Sequence, residues 1–243
     1  MKKRLDIYCV DAGLFETRHK ALAAIMAGIV LVNGKVADKA GFMVKPEDKI
    51  ELADSACPYV SRGGLKLKAA IDYFKIELKD KICLDIGVAT GGFSDCMLKE
   101  GAKKVYGVDV GKGQIHEKIF SDKRFHFIPN TNARFLKKEI FEEDIDFVAV
   151  DVSFISLKLI IPPLIKCLNK KTDIVLLVKP QFELEPKDLK KGIVKNDELR
   201  HRALNDIVDF TKKFNELKVI GFTDSPVKGV KGNLEFLLHI RYE

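Results

Sequence analysis

From Lys81 onward, short apolar and β-branched runs alternate with stretches of helical spacing, and this alternation limits the possible folds more than any other feature of the chain. The runs fall at 82–86, 104–110, 125–128, 147–152, 174–179, 219–223 and 236–241. Strands separated by helices pair in parallel, because each helical crossover returns the chain to the same end of the sheet. The spacing predicts an α/β domain whose mostly parallel sheet is covered by helices on both faces. Ligands of such sheets sit beyond the carboxyl ends of the strands.

The first run leads into "LDIGVATGGFSDCML". Asp85 ends the strand, and Gly87, Gly91 and Gly92 occupy the turn into the next helix. Glycines let a backbone approach a ligand closely, and a helix start presents unpaired N–H groups. The spacing G-x-x-x-G-G after an acid differs from the dinucleotide fingerprint G-x-G-x-x-G. A carboxylate here repels a pyrophosphate but suits a ligand carrying an ammonium group and hydroxyls, so S-adenosylmethionine fits better than NAD. Asp109 ends the second strand, at roughly the 20-residue offset from which an acid grips ribose hydroxyls.

Four more charged residues follow or interrupt apolar segments. Asp151 closes Phe147-Val148-Ala149-Val150-Asp151, Lys179 precedes Pro180, Glu235 stands between Leu234 and Phe236, and Lys66 lies on a helix before the first strand. Taken singly, each is explained by a salt bridge near a strand end. Together they form a Lys-Asp-Lys-Glu set beside the expected donor pocket. Methyl transfer from a sulfonium to a ribose 2′-hydroxyl needs a base and in-line alignment. A lysine serves as that base only when neutral, a state favoured by desolvation or a second ammonium nearby. Lys179 with Lys66 as neighbour meets this need, and Asp151 and Glu235 would orient and compensate the amines.

The first sixty residues read differently. Thr17 can cap a helix reaching Ala27, with Ala21, Leu22, Ile25 and Met26 as its apolar face and Gly28 as its left-handed stop. A strand at 29–32 then meets Asn33-Gly34, a strong hairpin signal, and Leu5, Ile7, Val10 and Leu14 suggest an earlier helix. Arg18, His19 and Lys20 crowd the helix start, where cations oppose the dipole; either a solvated helix end or a use for the charge explains them.

With 47% hydrophobic residues, 243 positions can bury a sizeable core and accommodate two domains. Pro58 marks a short connector, and the expected division is 1–57 and 58–243. The basic N-terminus runs into Asp6 and Asp11 rather than an apolar core segment, and the longest apolar stretch, 159–165, is far below the ~18 residues of a membrane span. A soluble cytoplasmic protein with no membrane partner is expected. Five cysteines without a close pair or a histidine at ligand spacing indicate neither disulfides nor a metal site. The net charge of +7 is compatible with a polyanionic partner without requiring one.

The segment "RLDIYCVDAGLFETRHKALAAIMAGIVLVNGK" resembles the alpha-L RNA-binding domain, which implies Arg4, Arg18, Lys20 and Lys35 as phosphate contacts. The segments "YVSRGGLKL", "LDIGVATGGFSDCML", "VYGVDVGKGQ", "NTNAR", "VAVDVSFISL", "LLVKPQFE", "KGIV" and "GNLEFLLH" span nearly the whole chain. In that order they resemble the TlyA family, also called haemolysin A, which joins such a domain to an FtsJ-like ribose methyltransferase.

The resemblance implies a Rossmann-like class I fold, with a seven-stranded sheet whose last strand is antiparallel and a small α+β RNA-binding domain before it. It implies S-adenosylmethionine-dependent methylation of a cytidine 2′-hydroxyl in ribosomal RNA. Lys66, Asp151, Lys179 and Glu235 match the catalytic tetrad. Asp85, Gly87, Gly91, Gly92, Asp109, Asn132 and Phe154 match the cofactor site, and Arg62 in "YVSRGGLKL" joins the RNA contacts. Ala89 departs from the commonest glycine-loop pattern of methyltransferases. The end at Glu243, soon after the last expected strand, resembles the shorter family form associated with 23S RNA. Two other readings are a cytolysin, which would need lipid-crossing segments, and a non-catalytic ribosome-binding factor that keeps a degenerate fold.

Overall fold

A computed structural model describes residues 2–26, 28–37, 39–52, 57–111, 114–229 and 232–243. The chain divides into two compact units, Met1–Arg62 and Gly63–Glu243.

In the first unit, β1 (Lys3–Arg4) precedes α1 (Leu5–Asp11) and α2 (Arg18–Met26), followed by β2 (Val30–Val32), β3 (Lys35–Val36), β4 (Met43–Val44) and β5 (Ile50–Leu52). Strands β3, β2 and β5 form one small antiparallel sheet, and β1 pairs with β4. Thr17 accepts from the Lys20 amide at 3.2 Å, and Gly28 takes φ +76 at the helix stop. Asn33 and Gly34 both have positive φ, the mirror-image turn that matches strand twist. Leu5, Cys9, Ala21, Ile25, Val30, Val32 and Val44 form the core of this unit. Leu22, expected on the apolar face, is 39% exposed, because the buried stripe runs through Ala21, Ala24 and Ile25 instead. The Met26 side chain and Ala27, both part of the expected helix, lie outside the described residues.

The second unit opens with α3 (Gly63–Phe74) and β6 (Ile82–Ile86), followed by α4 (Gly92–Lys99), β7 (Lys104–Val108), α5 (Glu117–Phe120) and β8 (Phe125–Ile128). Then come β9 (Phe147–Val150), α6 (Ile161–Ile165), β10 (Thr172–Val178), α7 (Pro180–Glu183), α8 (Asp197–Thr211), β11 (Leu217–Asp224) and β12 (Phe236–Tyr242). One sheet holds all seven strands in the order β11-β12-β10-β9-β6-β7-β8. Strands β6 to β10 run parallel, and β12 is antiparallel to both of its neighbours. This is a Rossmann-like α/β architecture.

Every residue of β6 and β9 is buried, which explains why β9 reads as a continuous apolar run and β6 as one broken only by Asp85: both faces meet helices. Leu84, Ile86, Val148, Val150, Leu176, Val178 and Leu238 belong to one large core. The chain moves outward from β6 to β7 and β8, then returns to lay β9 on the other side of β6. That reversal opens a crevice between the loops leaving β6 and β9, where doubly wound sheets bind ligands.

The runs at 104–110 and 147–152 were expected to continue as strands, but β7 ends at Val108 and β9 at Val150. Asp109 and Asp151 therefore stand in the loops just beyond. Lys179 likewise follows β10. Among the described residues, no helix is long and apolar enough to cross a membrane.

Candidate active site

The loop leaving β6 turns through left-handed residues, with φ +91 at Gly87, +49 at Ala89 and +93 at Gly91. A Cβ on Gly87 would sit 2.2 Å from the Asp151 carbonyl oxygen, so the two loops approach each other only because Gly87 has no side chain. Gly91 precedes α4 and packs against Ile119, and Gly92 is the buried first residue of that helix.

Asp109 joins the β6 and β7 loops. Its carboxylate accepts from the Ala89 amide at 2.9 Å and from the Gly111 amide at 2.8 Å. The cofactor residues expected around it take different positions. Asp85 is penultimate in β6 rather than terminal and is fully buried; its Oδ2 accepts from Ser94 Oγ at 2.6 Å. Oδ1 has no hydrogen-bond partner among the described residues. Burial pushes this carboxyl up to about 7, opposed by the Ser94 hydrogen bonds and assisted by the charges of Asp151 and Asp109.

A cavity of about 910 Å³ opens at the crevice. Gly87, Ala89, Asp109, Asn132, Asp151 and Phe154 are among its lining residues, whereas Asp85, Gly91 and Gly92 are not. Asn132 Oδ1 caps a short 3-10 turn by accepting from the Arg134 amide at 3.1 Å. Phe154 has φ 64 and is 91% exposed. Its ring lies 5.0 Å from that of Phe182.

A smaller cavity of about 290 Å³ is lined by Ser153, Phe154, Lys179, Gln181, Phe182, Asn233 and Glu235, among others. Ser153, Phe154 and Phe182 border both cavities. The four charged residues associate as two pairs. Lys179 Nζ lies 2.5 Å from Asp151 Oδ1, and Lys66 Nζ lies 2.5 Å from Glu235 Oε2. The first contact is an ion pair by distance only, since its angles leave Asp151 Oδ1 without a hydrogen bond. Lys179 also donates to Ser153 Oγ at 2.9 Å.

Reading single residues missed Ser153, Phe182 and Glu183. Glu183 accepts from Ser156 Oγ at 2.5 Å and from the Leu157 amide at 2.9 Å, which anchors the β9 loop to α7. Burial raises its carboxyl above the usual range. The one available signal was their place inside "VDVSFIS" and "KPQFE", immediately beside Asp151 and Lys179.

In the first unit, the expected RNA contacts are partly engaged with protein. Arg4 and Arg18 both bind the buried carboxylate of Asp6, which their hydrogen bonds and charges hold at about 2 against the effect of burial. Lys20 pairs with Glu16, and Lys35 is exposed on β3. Arg62 packs over Gly28 and is half-buried, with no hydrogen-bond partner for its Nε among the described residues.

A seven-stranded sheet with one antiparallel strand, and a cavity at its reversal point, defines a Rossmann-like methyltransferase. Residues 59–242 match the FtsJ-like methyltransferase family, and residues 3–50 match the S4 domain. The chain is 46% identical to "Hemolysin A" of Brachyspira hyodysenteriae, with 97% of this chain and 98% of that protein covered. It is 36% identical to "16S/23S rRNA (cytidine-2'-O)-methyltransferase TlyA" of Mycobacterium tuberculosis, covering 99% of this chain and 90% of that protein. The solved structure of a protein named as a hemolysin from Streptococcus thermophilus superposes with a TM-score of 0.78 at 40% identity, covering 99% of this chain and 88% of that one. The chain belongs to the TlyA family, in which an S4 domain precedes an FtsJ-like methyltransferase domain.

Proposed function

We propose that this protein transfers a methyl group from S-adenosylmethionine to the 2′-hydroxyl of a cytidine in ribosomal RNA, with 23S RNA as the substrate and the cytoplasm as the site of action. The observation that carries this reading is Lys179: its amine lies beside Asp151 and Ser153 and faces the smaller of two adjoining cavities. An amine there can take a proton from a hydroxyl entering the smaller cavity.

The larger cavity suits the cofactor. Its volume is within the range of small-molecule sites. Val110, Phe154, Ile155 and Leu159 provide apolar walls for a flat base, and Asp109 and Asp151 provide negative charge toward a sulfonium and ribose hydroxyls. Gly87, Asn132 and Phe154 would border the ligand, while Asp85, Gly91 and Gly92 are not among the residues lining the cavity. S-adenosylmethionine supplies an electrophilic methyl: as carbon bonds to the ribose oxygen, the C–S electron pair returns to sulfur and S-adenosylhomocysteine leaves.

Once its ammonium, paired with Asp151, has released a proton to solvent, Lys179 accepts the 2′-hydroxyl proton at Nζ. Positioned bases of this kind contribute roughly 10²–10⁴-fold in rate. Asp151 balances the ammonium that results, and the Lys66–Glu235 pair holds Glu235 at the wall of the smaller cavity. RNA binding is assigned to residues 1–57, through Arg4, Arg18, Lys20 and Lys35, with Arg62 beside them, and methyl transfer to residues 58–243.

Mapping 2′-O-methyl marks on 16S and 23S RNA from cells with and without the protein tests the assignment. A cytidine mark lost from 23S RNA is expected. If no ribose mark changes, the proposal is wrong.

A further inference from the structure

We propose that Ser153 is a positioning residue for the Lys179 amine, directing its lone pair toward the incoming hydroxyl. This rests on the methyl-transfer reading above. An amine at the end of a lysine rotates about its Cε–Nζ bond, so a base within reach is not yet a base aligned for proton transfer. The attraction of a carboxylate fixes distance more than direction, whereas a hydrogen bond weakens steeply as it bends. Lys179 has both kinds of partner. Asp151 Oδ1 lies 2.5 Å away without hydrogen-bond alignment, and Ser153 Oγ accepts at 2.9 Å.

After the ammonium paired with Asp151 has lost a proton, the neutral amine that acts as base has four tetrahedral positions. Cε occupies one, and an N–H held by Ser153 occupies the second. The remaining N–H is drawn to the Asp151 side, which leaves the lone pair in the fourth. Without the serine, rotation about Cε–Nζ can turn an N–H toward the substrate instead. Ser153 borders both cavities, so the atom that orients the amine lies where donor and acceptor meet.

Ser153 is exposed, yet its loop is anchored on both sides. The Asp151 amide donates to the Ile86 carbonyl at 2.9 Å, and Glu183 holds Ser156 and Leu157. The serine therefore belongs to a fixed turn and is not a chance surface contact.

The test compares the full chain with Ser153→Ala and Ser153→Thr. Because the side chain is exposed, alanine opens no cavity in the core. In a ribosomal RNA methylation assay, Ser153→Ala should lower kcat about tenfold or more, with KM for both substrates within about twofold, and Ser153→Thr should restore most of the rate. The second readout needs no turnover. In ¹H–¹⁵N spectra of the lysine side chains, the Lys179 signal, identified by its loss in Lys179→Arg, should be sharp in wild type and Ser153→Thr and broadened in Ser153→Ala.

A wild-type kcat in Ser153→Ala overturns the inference while leaving the methyltransferase reading intact. A lower kcat with an unchanged Lys179 signal also overturns it, since Ser153 would then act on something else. Absence of transfer by the wild type removes the reading and the inference together.

Discussion

Lys66 Nζ lies 2.5 Å from Glu235 Oε2, both side chains are buried, and the two residues are 169 positions apart. The pair ties α3 to the segment entering β12. A Cβ on Gly229 would fall 2.0 Å from Glu235 Oε1, so the carboxylate is boxed in from its own loop as well. Removing one partner leaves an uncompensated buried charge, which costs about 3–5 kcal/mol. Lys66→Ala and Glu235→Ala should each lower stability on that scale in urea unfolding, and Lys66→Met with Glu235→Leu should lose less than either. A loss below about 1 kcal/mol in both single variants would mean that water already reaches the pair.

Lys179→Ala should lower kcat by roughly 10²–10⁴-fold while titration calorimetry still detects S-adenosylmethionine binding. Lys179→Arg should fail equally, because a guanidinium keeps its proton. Turnover retained in either variant would take the base role away from Lys179.

Gly87→Ala places a methyl group where the Asp151 carbonyl already stands, at a backbone φ of +91 that alanine resists. The loops after β6 and β9 must then separate. A loss of about 2 kcal/mol or more in stability and a cofactor affinity at least about tenfold weaker are expected. Wild-type melting and binding would show that the loops are not packed as described.

Asp85 makes stability depend on pH. Its carboxyl is pushed up to about 7 in the fold, against about 3.9 in an unfolded chain. The folded state therefore holds an extra proton between those values. The contribution is full below about pH 4 and is lost as pH rises through about 7. Asp85→Asn cannot ionise, so its stability relative to wild type should increase across that window and level off above it. Urea midpoints of both proteins at several pH values supply the check; a constant difference would mean that the carboxyl is not protonated in the fold.

In the first unit, Lys35→Ala should weaken RNA binding and reduce the salt dependence by about one counterion, without changing the melting temperature. Arg18→Ala should weaken binding and also destabilise the unit, since it removes a partner of buried Asp6. An unchanged salt slope for Lys35→Ala would place that side chain away from the RNA.

The alternation of strands and helices, the Asn33-Gly34 turn and the glycine stops were legible in the sequence because each depends on neighbours within a few positions. Periodicity marks which faces are buried, and positive φ selects glycine or asparagine. Strand ends were less legible. Asp109 and Asp151 leave the sheet to stand in loops, and an apolar run does not show where its last ladder hydrogen bond falls.

Local sequence likewise could not reveal which charge meets which. Asp85 looked like a pocket carboxylate, but side chains alternate along a strand: Ile86 reaches the cavity and Asp85 turns to Ser94. Arg4 and Arg18 looked free for RNA until α1 placed Asp6 between them. The sequence determined that this chain would form a parallel sheet with lysines and acids near its carboxyl edge. Tertiary structure decided that β9 beside β10 joins Asp151 to Lys179 and that α3 against β12 joins Lys66 to Glu235. Ion pairs form between groups that are close in space, and distance along the chain carries no record of that closeness.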